Sequence, residues 1–118
     1  MIEQLLNQPN IWQGRQFQSS QGIDTGHADL NRILPSRGWP KDGLIEVVSE
    51  PGMGELSLLI PSLTQLQKTG TLILLSPPWR PNGPQFIEQG LDLSHLLWIH
   101  AKAEQQQWTA EQSLKSSA

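Results

Sequence analysis

The apolar positions change period along the chain, and the changes mark out its elements. Residues 44–48, LIEVV, form a β-rich run without breakers, in which Glu46 is the one charge. They read as a strand partly buried on both faces. After a Gly-containing turn, Leu56, Leu59, Leu63 and Leu66 recur at steps of three, four and three, and Leu58 and Ile60 widen that face. This spacing predicts a helix packed on a sheet. Pro61 lies inside it, removes one backbone donor and predicts a kink; Lys68, Thr69 and Gly70 close it. Residues 71–75, TLILL, are a continuous apolar run of the buried parallel kind, and residues 96–100 give a further strand.

The segments between these runs fill in the alternation. Thr25 is placed to cap a helix over 26–34, with Leu30, Ile33 and Leu34 on one face and Pro35 ending it. The following SRGWPKDG is loop chemistry, as is the proline-stiffened SPPWRPNGP. Pro84 starts a short helix, QFIEQ, that Gly90 ends, and residues 103–115 form a last helix with Trp108, Glu111, Gln112 and Lys115 within reach of one another. At the N-terminus, Ile2, Leu5 and Leu6 suggest a short helix, followed by a polar connector pinned by Ile11, Trp12 and Phe17, with Arg15 its single basic residue. Residues 1–21 are thus an arm and residues 22–118 a domain. Helix and strand alternate as in an α/β domain with a parallel sheet and right-handed crossovers, here with about three strands.

Composition narrows the function classes. A chain of 118 residues holds one domain or part of one. Its formal charge of −3, with 16% charged residues, argues against a basic stripe, so direct nucleic-acid binding is not expected. Cysteine is absent, which excludes disulfides, thiolate metal sites and cysteine nucleophiles. No apolar run is long enough to span a bilayer, and the N-terminus lacks the pattern of a signal peptide. A soluble, cytoplasmic setting is the expectation.

The order strand, Gly-containing turn, helix around residues 44–66 is that of a phosphate-binding loop, G-x-x-x-x-G-K-[ST]. The run here is Ser49-Glu50-Pro51-Gly52-Met53-Gly54-Glu55-Leu56. Ser49 replaces the first glycine, Gly54 keeps the second, Glu55 replaces the lysine and Leu56 the Mg²⁺-binding hydroxyl. A carboxylate about 4 Å from a phosphate charge costs about 1 kcal/mol in water and several times more in a drier pocket. The helix N-terminus still favours an anion, but Glu55 and Glu50 can satisfy it from within the chain. No cofactor and no nucleotide hydrolysis are expected. Asp24, His27 and Asp29 cluster at a helix start and read as capping residues. His95 and His100 have no acid partner in view, so a metal pair is not expected. Neither G-x-S-x-G nor H-E-x-x-H is present. Nothing in the residues points to an enzyme.

The ordered set of residues from Gly22 onward resembles the opening of a RecA-like core, and more closely the SulA/ImuA family, which lacks a working nucleotide site. Thr25-Gly26 with Leu30, then Gly38-Trp39-Pro40, Gly43 and Glu46, carry the likeness. Gly54-Glu55-Leu56 with Pro61, Pro77-Pro78, Gly90-Leu91-Asp92-Leu93, and the Trp108 to Leu114 helix extend it, and the Trp12 to Arg15 arm favours the ImuA branch. The likeness covers residues 11–118, and it implies further strands beyond them, so the chain looks C-terminally truncated. It implies a RecA-like parallel sheet with flanking helices. It also places Ser76-Pro77-Pro78 where related ATPases hold a catalytic carboxylate.

With the loop's chemistry gone, contact surfaces become the candidates. Trp79 and Arg80 lie in the proline-stiffened loop at the carboxyl end of the second strand, which Leu75 ends, the edge at which open α/β sheets meet ligands. Phe86, on the short helix, is a candidate because the resemblance implies an aromatic residue there. Trp and Arg dominate interface energetics, and flanking prolines lower the ordering cost. Trp79 alternatively folds back over the sheet edge, and Phe86 alternatively packs in the core. Trp39 is expected to pack its turn on the core, and Trp98 to be a strand-core residue. The resemblance implies a non-catalytic accessory of damage-induced translesion DNA synthesis, contacting an ImuB-like polymerase and RecA. Its other branch implies a cell-division inhibitor that binds FtsZ, and a third reading is an inactive remnant. A homodimer is left open.

Overall fold

Parallel pairing joins β1 (Leu72–Leu75) to β2 (Leu96–Ile99) in the computed structural model, with Leu72 opposite Leu96 and Leu75 opposite Ile99. The structure describes residues 2–8 and 21–116. The expected connector, with Trp12, Arg15 and Phe17, lies outside the described residues. The chain divides into two units, Met1–Glu50 and Pro51–Ala118.

The second unit is mixed α/β. Helix α3 (Glu55–Leu66) precedes β1, α4 (Gly83–Glu88) and a 3₁₀ turn (Leu93–His95) lie between the strands, and a second 3₁₀ turn (Ala103–Gln105) and α5 (Gln106–Lys115) follow β2. Parallel strands need a crossover, and α4 supplies it. Asn82 caps α4 by accepting from the Gln85 amide at 3.2 Å, and Pro84 sits in the first turn, where its missing N–H does no harm. Gly90, at φ 93°, ends the helix, and the Leu91 amide then donates back to the Phe86 carbonyl at 2.9 Å.

Ile60, Phe86 and Leu91 form the buried core of this unit, and Leu56, Leu63, Leu72, Leu74, Trp79 and Leu96 pack on it. Leu56, Ile60 and Leu63 follow the i, i+4, i+7 face of α3. Leu66, expected on that face, is exposed. Helix α3 runs from Glu55 to Leu66 with Pro61 inside it.

Among its described residues the first unit contains α1 (Ile2–Leu6), α2 (Ala28–Ile33) and an antiparallel bridge between Ile23 and Trp39. Trp39 is buried, as expected of a residue packing its turn. A Cβ on Gly38 would run into the Ile23 carbonyl oxygen, so this crossing requires glycine. The N-cap of α2 is His27, which makes no side-chain cap bond, rather than Thr25. Thr25 stabilises the turn before it: its fully buried hydroxyl accepts from the His27 amide at 3.1 Å and donates to Asn31 at 2.6 Å.

The strand expectations fail in part. Residues 44–48 form no strand; Leu44 is 92% and Val48 86% exposed. β propensity describes a residue's fit to a neighbouring strand, and this run has no ladder partner among the described residues. Among the described residues the sheet therefore has two strands instead of about three. Trp98 is 46% exposed rather than in the core.

Candidate functional site

The turn before α3 holds two left-handed glycines and a side chain folded back onto it. Gly52 and Gly54 have φ of 84° and 88°, left-handed values that favour glycine, and a Cβ on either would meet no neighbour. Conformation, not space, selects glycine there. Glu55 opens the helix and curls back, so that its Oε1 accepts from the Gly52 amide at 3.2 Å. The loop amides, its own N–H foremost and then that of Gly52, hold its carboxyl below the usual range. The side chain is thus an ionised carboxylate at the positive end of a helix, where a first-turn acid is favourable. Its Oε2 is buried and has no hydrogen-bond partner among the described residues. Leu56 packs on the core. Ser49 and Glu50 belong to the N-terminal unit, and both are exposed.

A cleft of about 370 Å³ opens beside this loop. Gly52, Gly54 and Glu55 line one side, and Trp79, Arg80 and Phe86 come from the segment after β1. Trp79 is half-buried, its ring edge-on to Phe86 at 6.1 Å and 80°. It packs on the core and faces the cleft together. Arg80 is exposed and makes no ion pair among the described residues. Phe86 is buried in the core and shows part of its surface to the cleft. Leu75, half-buried at the end of β1, is not among the lining residues. Ser76 follows at φ 43°, and its hydroxyl is committed to the Ala101 backbone, accepting from the N–H at 3.0 Å.

Asn82, Gln85 and Gln89 also line the cleft and escaped the sequence reading. Gln85 and Gln89 are four apart, a spacing that puts both on one side of a short helix; that was the available signal.

The other clusters resolve into local structure. Asp24 accepts from the Gly26 amide at 2.8 Å and from Asn31 at 2.7 Å, and these bonds, Gly26 first, lower its pKa. Asp29 pairs with Arg32 at 2.7 Å on the exposed side of α2. His95 does have an acid partner, contrary to the sequence reading: its Nδ1 lies 2.9 Å from Asp92, one helical turn earlier. Among the described residues no group of three or more His, Asp or Glu side chains comes together to hold a metal, and no helix is long and apolar enough to cross a membrane. Comparison with known protein families, with curated proteins and with solved structures gave no match.

Proposed function

We propose that this chain is a non-catalytic binding protein of the bacterial DNA-damage response, an accessory of translesion synthesis of the ImuA kind. The observation that carries the reading is the seat of Glu55. A carboxylate accepts from the Gly52 amide of the loop at 3.2 Å, in the place where a nucleotide-binding loop presents a lysine to phosphate. A bound triphosphate would have to displace it and then tolerate its charge. The cleft beside it keeps the residue types of a contact site, with Trp79 held by the core and Arg80 exposed. The partner in this reading is an ImuB-like polymerase, with RecA as a second contact.

Purified chain is tested for capture of an ImuB-like polymerase, RecA and FtsZ, each singly, with and without Arg80→Ala. Capture of the polymerase that weakens with Arg80→Ala supports the reading. Capture of FtsZ alone, with inhibition of its polymerisation, replaces it by the division-inhibitor reading. A measurable Mg·ATP affinity in calorimetry would overturn the non-catalytic assignment.

A further inference from the structure

Asn82 and Gly83 are the one Asn-Gly pair of the sequence, and the fold leaves the groups that react in such a pair unencumbered. Asn82 is exposed and extended, at φ −106° and ψ 100°, and its Oδ1 accepts from the Gln85 amide at 3.2 Å. Gly83 is the first residue of α4, so its N–H has no acceptor within the helix, and it makes no other hydrogen bond among the described residues. Glycine also puts no side chain beside that nitrogen. The Asn82 amide thus adjoins a free, uncrowded backbone nitrogen. The Gln85 N–H meanwhile draws charge towards Oδ1, the atom on which an oxyanion would develop. Asn31 is the contrast: it lies within α2, its Oδ1 receives the Thr25 amide and hydroxyl, and its Nδ2 donates to Asp24 at 2.7 Å.

We infer that Asn82 is a self-modification site, at which the folded chain deamidates through a succinimide in preference to Asn31. The Gly83 nitrogen gives up its proton and bonds to Asn82 Cγ. The Cγ–Nδ2 bond breaks, and ammonia leaves with a proton. Water then opens the ring. Addition at Cγ leaves aspartate in a normal main chain; addition at the Asn82 backbone carbonyl carbon leaves isoaspartate, with the main chain rerouted through Cβ and Cγ. Nothing is oxidised or reduced. Either product carries a carboxylate at neutral pH, so the formal charge of −3 becomes one unit more negative. That carboxylate stands in the cleft that Arg80 also lines, and in the isoaspartate form the cap on Gln85 is lost. The conversion needs no partner, so it stands apart from the polymerase contact proposed above.

The full chain is aged in neutral buffer, folded and in urea. Isoelectric focusing of the folded sample should show a growing species one charge more acidic. Peptide mapping by mass should place the change, an NH₂ replaced by OH, at Asn82, with isoaspartate there accepting label from an isoaspartyl methyltransferase. Asn31 should stay intact while the chain is folded. Gly83→Ala puts a methyl beside the attacking nitrogen and should slow the conversion about tenfold, equivalent to about 1.4 kcal/mol at the barrier. Its fold should survive, with an unchanged far-UV spectrum, because the added Cβ would meet only Leu93 Cδ1, at 3.3 Å, the end of a flexible side chain. Asp42-Gly43 can form isoaspartate through the same ring but without a change of charge, so it does not feed the acidic species. An Asn82 that stays intact in the folded chain, conversion as fast in Gly83→Ala, or Asn31 converting alongside Asn82 in the folded chain would each overturn the proposal.

Discussion

Gln67 holds the backbone of Asp92 from both sides: its Oε1 accepts from the Asp92 amide at 2.9 Å, and its Nε2 donates to the Asp92 carbonyl at 3.0 Å. The same Nε2 reaches the His95 carbonyl at 3.1 Å. Gln67 is only 6% exposed, so these bonds form largely out of water and replace hydration that the buried amide has lost. They connect the end of α3 to the approach to β2, and so help set the position of the second strand. Gln67→Leu removes the partners of three backbone groups and should destabilise the fold by about 2 kcal/mol in urea unfolding, since some of those groups regain water. Gln67→Glu keeps the acceptor, loses the donor and faces two carbonyls with a charge; it should destabilise at least as much.

The Gly38 crossing separates two uses of glycine. Gly38→Ala drives a methyl into the Ile23 carbonyl, where backbone must move, and should abolish the Ile23–Trp39 bridge. Amide hydrogen exchange would report it as lost protection at Ile23 and Trp39. Gly52→Ala meets no atom and suffers only from its left-handed φ, a penalty of about 1 kcal/mol. Protection at Ile23 and Trp39 should be unchanged by it.

Elements set by local signals were legible. The leucine spacing of α3, Pro84 and Gly90 at the two ends of α4 and the apolar runs of β1 and β2 all predicted what forms. What depends on a distant partner was not. Residues 44–48 are rich in strand formers and still pair with no strand among the described residues, and Trp98, an apolar strand residue, is 46% exposed. The Gln67 clamp spans 25 residues to Asp92, and no periodicity encodes such a bond. In the cleft, the substitution of Glu55 was visible in the sequence. That its Oε1 would turn back to the Gly52 amide depends on two left-handed glycines acting together.

Asp92 should give the acid limb of stability a recognisable origin. The Ser94 hydroxyl, then His95 and the Ser94 amide, lower its pKa from 3.8 to about 2. A carboxyl lowered on folding contributes stability that is complete above its unfolded value and fades as pH falls through its folded value. The contribution is therefore present above about pH 4 and lost towards pH 2. Asp92→Asn cannot titrate, so the stability of that variant should fall less steeply over this window in chemical unfolding. Equal slopes for the two proteins would remove Asp92 from the account.

Trp79 and Arg80 are adjacent in sequence yet should separate stability from binding. Trp79 packs on the core and meets Phe86 edge to face, so Trp79→Ala removes both the buried area and the aromatic contact. Because the side chain is half-buried, the loss should be about 2 kcal/mol, below the range for a fully buried tryptophan. Arg80 makes no hydrogen bond or ion pair among the described residues, and Arg80→Ala should change stability by less than about 0.5 kcal/mol. If the cleft is a contact site, Arg80→Ala should still weaken partner capture, and Arg80→Lys should recover it only in part, since ammonium lacks the planar fork of guanidinium. Thermal melts and capture measured on the same preparations decide the matter. A protein equally stable and equally bound after Arg80→Ala would move the contact away from this cleft.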